Sequence, residues 1–190
     1  VPATTLAEYL ALARAQPGQL TFSSAGNGAT SHLATELLMA RADINLLHVP
    51  YRGGAPAAQA LITGEVRCCF IDLITALPFA RAGTARILGI STASRSPLTP
   101  DVPTIAEAGV PGFESSTDAA FFAPAGTPDP VIRRLNDALR EALAHSETRA
   151  ALIAQAVEPV GSTPQEFAAY LARETAKWGE IIRSRNIRLG

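Results

Sequence analysis

Cysteine is nearly missing from this chain: Cys68 and Cys69 are the only two in 190 residues, and they are adjacent. On a strand their side chains point to opposite faces, which argues against a bond between them. No His or Cys stands near them at ligand spacing, which excludes a zinc site. They are expected as small core residues. An excess of basic charge is missing too. Lys and Arg number 16 against 17 Asp and Glu, for a net charge of −1, so no positive field draws the chain to nucleic acid or a membrane surface. Aromatics are 6% of the residues and no basic cluster interleaves with them, which argues against RNA and single-strand binding. No apolar run reaches the roughly 18 residues of a spanning helix. Val1-Pro2-Ala3-Thr4 has neither the charged start nor the apolar middle of a signal peptide. The protein is then either cytosolic or has had its front end removed.

What the chain does have is apolar content, 47% hydrophobic, enough for one or two compact lobes. Thr5-Leu6-Ala7-Glu8 fits a capping box, with Leu6, Tyr9, Leu10 and Ala13 forming a stripe down a helix that Pro17-Gly18 stops. Strands are expected at 19–24, 46–51, 66–71 and 87–90. Helices are expected between them, from the Thr30 region to about Arg41, at 55–63 and at 74–82. That alternation predicts a mostly parallel sheet with right-handed crossovers. Pro97, Pro100, Pro103, Pro111 and Gly112 then break the texture, leaving at most a short helix at 104–108. A further strand is expected at 119–123. Helices alone follow: one capped by Thr127 with Val131, Leu135, Leu139 and Leu143 on one face, one at 147–156, and one opened by the capping box Thr163-Pro164-Gln165-Glu166.

The stretch of most chemical interest is Thr21-Phe22-Ser23-Ser24-Ala25-Gly26-Asn27-Gly28-Ala29-Thr30-Ser31-His32. It reads as a strand end, a turn with two glycines and the first turn of a helix. Such a junction aims backbone N–H groups, hydroxyls and the positive end of a helix dipole at one point, a place for a carboxylate or a phosphate. Two other interpretations compete. The glycines could serve a tight turn alone, with Thr30 or Ser31 as N-cap. A nucleotide site fits less well, because the stretch lacks both the Gly-Lys-Ser/Thr end of a P-loop and the third glycine of the dinucleotide fingerprint. Catalysis finds little footing. Ser23, Ser24 and Ser31 are available, but there is no Gly-x-Ser-x-Gly elbow and no indicated pairing with a base. His32, His48 and His145 are too scattered for a metal. No catalytic residue, metal or cofactor is therefore expected. In the first helical turn His32 is expected neutral and bonded to the turn, since a cation there opposes the dipole.

Taken together, Ser24 to Leu33, His48-Val49-Pro50-Tyr51-Arg52-Gly53-Gly54, Phe70-Ile71-Asp72, Ala76-Leu77-Pro78, the Arg95 to Gly109 stretch, Ala123-Pro124-Ala125-Gly126-Thr127-Pro128 and Lys177-Trp178 form an ordered series. In that order and spacing the chain resembles the Bug-type solute receptors of tripartite tricarboxylate transporters. The resemblance implies an α/β fold of the periplasmic-binding-protein type II kind, a two-lobed flytrap with a mostly parallel sheet flanked by helices. By its plan, 1–18 is a helix and hinge remnant, 19–123 the second lobe, and 124–190 a set of helices that completes a first lobe formed mostly by chain ahead of Val1. A homodimer of the chain is another way to cover those helices.

The resemblance further implies a periplasmic receptor that binds a mono- or dicarboxylate without chemistry and presents it to a membrane permease. Nucleic acid is not among the implied partners. Ser24, Gly26, Asn27, Gly28, Ala29 and Thr30 match the family loop whose amides and hydroxyls hold a carboxylate. Asp72 matches the Asp after the apolar strand, where it either accepts a bond from the ligand or a bridging water, or acts as a plain N-cap. His48 and Tyr51 are read mainly as structural. Asp118 and Ala119-Ala120 replace an aromatic residue and a glycine common in relatives, which implies a different polarity at the cleft rim. The alternative with the same two-lobed plan is the effector-binding half of a bacterial transcription regulator.

Overall fold

The computed structural model describes residues 1–188 and resolves into two compact units, 1–117 with 179–188 and 118–178. In the first unit, helix α1 (Leu6–Ala15) opens on the capping box: Glu8 N–H donates to Thr5 Oγ1, and Glu8 Oε2 takes the Thr5 N–H. Its buried face is Leu6, Tyr9, Leu10 and Ala13. Strand β1 (Thr21–Ser24) leads into helix α2 (Thr30–Ala42). Then follow β2 (Leu47–Pro50), α3 (Gly54–Ile62), β3 (Cys68–Cys69) and α4 (Leu73–Arg81).

The three strands are parallel in the order β2-β1-β3, with Phe22 paired to His48 and to Cys68, and Ser23 to Val49 and Cys69. Because strand side chains alternate, Phe22 and Ser24 share one face with His48 and Cys68, while Ser23 and Cys69 share the other. Helix α2 brings His32 onto the first face, where it stacks with His48, and α3 meets the second, where Ser23 Oγ donates to Ala57 O at 2.8 Å. The core lies in these layers: Phe22, Leu37 and Val66 are almost wholly enclosed. The cysteines are free and half-buried, and Tyr9 donates its phenol proton to Cys68 Sγ at 2.9 Å. Burial pushes both thiols up, Cys68 to about 12 and Cys69 to about 11.

Several expected elements take another form. Segment 87–90 is not a ladder strand but makes a single bridge, Ile90 with Thr104. Its hydrogen bonds go forward, with Ile90 N–H on Pro103 O and Ile105 N–H on Ile90 O. Residues 104–108 form turns rather than a helix, closed by Glu107, which receives the Thr104 N–H and pairs with Arg95 at 2.8 Å. The proline-rich stretch is nonetheless anchored, since Val110 and Phe113 are buried and Phe113 stacks on Phe70.

In the second unit, the expected strand at 119–123 is exposed chain without a partner strand. Apolar composition alone cannot make a strand without an edge to pair with. Helix α5 (Asp129–Ala144) begins after Pro128, not under a Thr127 cap: the Thr127 hydroxyl donates instead to Pro124 O at 2.8 Å. Helix α6 (Ser146–Ala154) follows, and α7 (Pro164–Ser184) carries the last of the chain back into the first unit. The second capping box forms, with Glu166 N–H on Thr163 Oγ1 and Thr163 N–H on Glu166 Oε2. Among the described residues no helix is long and apolar enough to cross a membrane.

Candidate functional site

The order β2-β1-β3 places the reversal of the sheet between β1 and β3. In open parallel sheets ligands bind outside the carboxyl ends of the strands at such a switch point. The Ser24–Thr30 turn leaves the carboxyl end of β1, and Asp72 lies just past the carboxyl end of β3. The fold thus sends both candidate segments out of the same sheet edge. Asp72 occupies the N-cap position of α4 in extended conformation, but its side chain makes no capping bond and is exposed. The plain N-cap role is therefore not realised through its carboxylate.

The turn itself is held by a dense set of internal bonds. Gly26 and Gly28 both adopt positive φ, +131° and +75°, which L side chains rarely reach. A Cβ on Gly26 would also meet Tyr51 O at 3.5 Å. The Ala25 N–H donates to Ser31 Oγ at 3.0 Å, Gly26 N–H to Ser24 Oγ at 3.2 Å, Gly28 N–H to His32 Nδ1 at 3.1 Å and Ala29 N–H to Gly26 O at 3.2 Å. Strand β2 clamps the far side, with Tyr51 N–H on Ser24 O and Gly53 N–H on Ala25 O. Neither Thr30 nor Ser31 caps α2. Its N-cap is Ala29, which has no side-chain cap bond, and Ser31 spends its oxygen on Ala25.

What remains outward is well defined. The first main-chain bond of α2 is Leu33 N–H to Ala29 O, so the amides of Thr30, Ser31 and His32 precede the helical ladder and form its positive end. Asn27 and Thr30, just before and at the start of α2, are exposed. Ser24, by contrast, is fully enclosed, its hydroxyl 2.6 Å from His48 Nε2 and 3.2 Å from Gly26 O. Of the candidate loop residues, Asn27 and Thr30 have their side chains at the surface. Gly26, Gly28 and Ala29 shape it, and Ser24 braces it from below.

Two contacts escaped the sequence. The Ser24–His48 approach follows from the Phe22–His48 register, which no local pattern discloses. The sequence indicated no such pairing. The pair is not a nucleophile with its base: Ser24 is shut off from solvent, and burial first, then neighbouring His32, lowers the His48 pKa to about 4. His32 and His48 stack with ring centroids 3.9 Å apart, and the Phe22 ring lies 4.7 Å from His48 and 6.1 Å from His32. Because Gly28 donates to Nδ1, the neutral His32 ring carries its proton on Nε2, 3.4 Å from Glu36 Oε1. Burial likewise lowers the His32 pKa, against the pull of Glu36. Tyr51 is half-buried, and its phenol is raised by burial and then by Glu65. Among the described residues no group of three or more His, Cys, Asp or Glu stands together as for a metal.

A parallel sheet flanked by helices is an α/β fold of the periplasmic-binding-protein kind. The family model of the tripartite tricarboxylate transporter family receptor matches residues 1–187, and the chain belongs to that family. Over 178 residues it is 41% identical to the UPF0065 protein in the tcbD-tcbE intergenic region of Pseudomonas sp. (strain P51), covering 93% of this chain and 53% of that one. It is 34% identical to BugT of Bordetella pertussis, covering 97% and 57%. The chain thus spans about half the length of these curated relatives. Among solved structures it superposes on an R. palustris protein bound to adipate with a TM-score of 0.84 at 34% identity, covering 100% of this chain and 64% of the other. It also superposes on MatC of Rhodopseudomonas palustris, solved with bound malate, with a TM-score of 0.74 at 31% identity, covering 95% and 63%.

Proposed function

We propose that this chain is the ligand-gripping part of a periplasmic receptor for a small mono- or dicarboxylate, serving a tripartite tricarboxylate-type permease and binding without catalysis. The observation that carries this is the uncapped helix end at the switch point: the Thr30 and Ser31 amides precede the α2 ladder with no side-chain cap, and Asn27 and Thr30 at that end are exposed. A carboxylate there is neutralised by oriented dipoles rather than by Arg or Lys, and weak pairing of that kind suits reversible capture. Relatives solved with adipate and malate supply the ligand class. Gly26, Gly28 and Ala29 line the turn, Ser24 supports it, and exposed Asp72 across the switch point receives a hydroxyl or bridging water of the ligand. A second lobe closing over the carboxylate would create the form that a permease recognises.

Calorimetric titration with adipate and with malate tests this. Gly28→Val forces a branched side chain into φ +75° and distorts the turn. Thr30→Ala removes one hydroxyl at the helix end. Binding weakened about tenfold or more in either variant is expected, the worth of roughly one hydrogen bond to a charged group. Unchanged affinity in both overturns the assignment of this turn.

A further inference from the structure

We propose that His32 and His48 are positioning residues that hold the turn in its ligand-ready shape only while both rings are neutral, so that acid releases the carboxylate. This rests on the carboxylate reading above. The geometry forms a continuous chain from the sheet to the surface of the turn. Phe22 backs His48, His48 Nε2 meets the Ser24 hydroxyl at 2.6 Å, and that same oxygen receives the Gly26 N–H. Face to face with His48 lies His32, whose Nδ1 receives the Gly28 N–H. Each imidazole therefore controls one of the two glycines whose positive φ values shape the turn.

Protonation breaks this arrangement at identifiable atoms. A proton on His32 Nδ1 replaces the acceptor of the Gly28 amide with a second donor, so the Asn27–Gly28 peptide must turn away. A proton on either ring also sets a cation 3.9 Å from a second imidazole that is itself a potential cation. The groups facing the pair are few. Glu36 on α2 lies 3.4 Å from His32 Nε2 and favours the charged form, but its other oxygen is tied to Arg185 at 2.6 Å, which offsets that pull. Phe22 and the Ser24 hydroxyl carry no charge. Burial disfavours the cation on both rings. The turn is thus tuned to neutral histidines.

The test is nuclear magnetic resonance on the whole chain, following the Gly26 and Gly28 amides and the histidine rings from pH 7.5 downward, without and with adipate as the probe. The Gly28 amide is expected to move with the histidine titration, below the ordinary midpoint of 6.5. Adipate-induced shifts at Thr30 and Ser31 should fade over the same range. Two variants separate positioning from mere packing. His32→Phe keeps a stacking ring but no acceptor, and should weaken adipate binding roughly three- to tenfold at pH 7.5. His32→Asn offers an oxygen where Nδ1 stood and cannot be protonated. It should bind within about threefold of the parent at pH 7.5, with a flattened response to acid.

A Gly28 resonance that ignores the histidine titration overturns the proposal, as does a His32→Phe variant that binds like the parent. If adipate moves no resonance of the parent at pH 7.5, the carboxylate reading falls and takes the release half with it. The Gly28 response, read without ligand, still decides whether the histidines hold the turn.

Discussion

Helices α2 and α5 sit in opposite surroundings. In α2, His32, Ala34, Thr35, Leu37, Leu38, Met39 and Ala42 are all buried, so nearly its whole circumference is enclosed by the first unit. In α5 no residue is buried, and Val131 and Leu135 on its apolar stripe are 45% and 50% exposed. A helix like α2 is held by tertiary packing and can tolerate a poor local start, which it has: Ala29 at the N-cap and no side-chain cap bond. A helix like α5 depends more on its own propensity and on a few contacts within the second unit, such as Asn136 Nδ2 donating to Ser162 O. The Ser24–Thr30 turn is attached to the first kind. That placement lets an uncapped helix end persist, because the surrounding core holds it.

The largest test of this contrast is a matched pair of truncations. Phe22→Ala removes a fully enclosed ring that also backs His48, and should cost about 3–5 kcal/mol in chemical denaturation. Leu135→Ala, from a half-exposed site, should cost about 1 kcal/mol or less. Comparable losses at the two sites would show that the α5 stripe is packed in solution, and the contrast would fail.

How much of this was legible in the sequence follows the same division. Both capping boxes, the turn with its two glycines and the helices were readable, because each is specified by residues within a few positions of one another. The strands at 87–90 and 119–123 were not. A strand exists only through its neighbour, and these segments found a single bridge or none. Thr127 looked like a cap, yet its hydroxyl turned back to Pro124, an equally local choice that composition does not decide. The site was legible as a stretch and not as an arrangement. Which amides face inward depends on His32 and on the Phe22–His48 register, and the latter joins residues far apart in the chain.

The next effect concerns acid. The His48 pKa is lowered to about 4 from an ordinary 6.5, and that of His32 is lowered too. Between those values the unfolded chain binds more protons than the folded one, so stability rises with pH there and falls as pH drops. The second unit's only histidine, His145, is exposed. Glu8, Glu107 and Glu166 have lowered values, so their contributions fade only as pH falls below about 4.5. Thermal melts from pH 7 to 5 should therefore show a falling midpoint that His48→Asn flattens. A slope unchanged by that substitution would place the acid sensitivity elsewhere than the stacked pair.

The smallest effect is also the most discriminating, because the same chemical change is made in both environments. Thr5 and Thr163 each form a capping box, and replacing either by Ala should cost about 1 kcal/mol. The consequences should nonetheless differ in kind. Helix α1 buries Leu6, Tyr9, Leu10 and Ala13 immediately after its cap, so Thr5→Ala should lower global stability while its first turn stays protected from hydrogen exchange. Helix α7 has Ile181 as its one buried residue, close to its far end. There the first turn is held by the cap and by one half-buried ring, Phe167 against Phe122, and Thr163→Ala should fray it, raising exchange at Phe167 and the amides that follow. If both first turns fray alike, packing in the first unit does not reach the helix ends, and the stability of the Ser24–Thr30 turn must come from its own bonds to His32, Ser31 and Ser24.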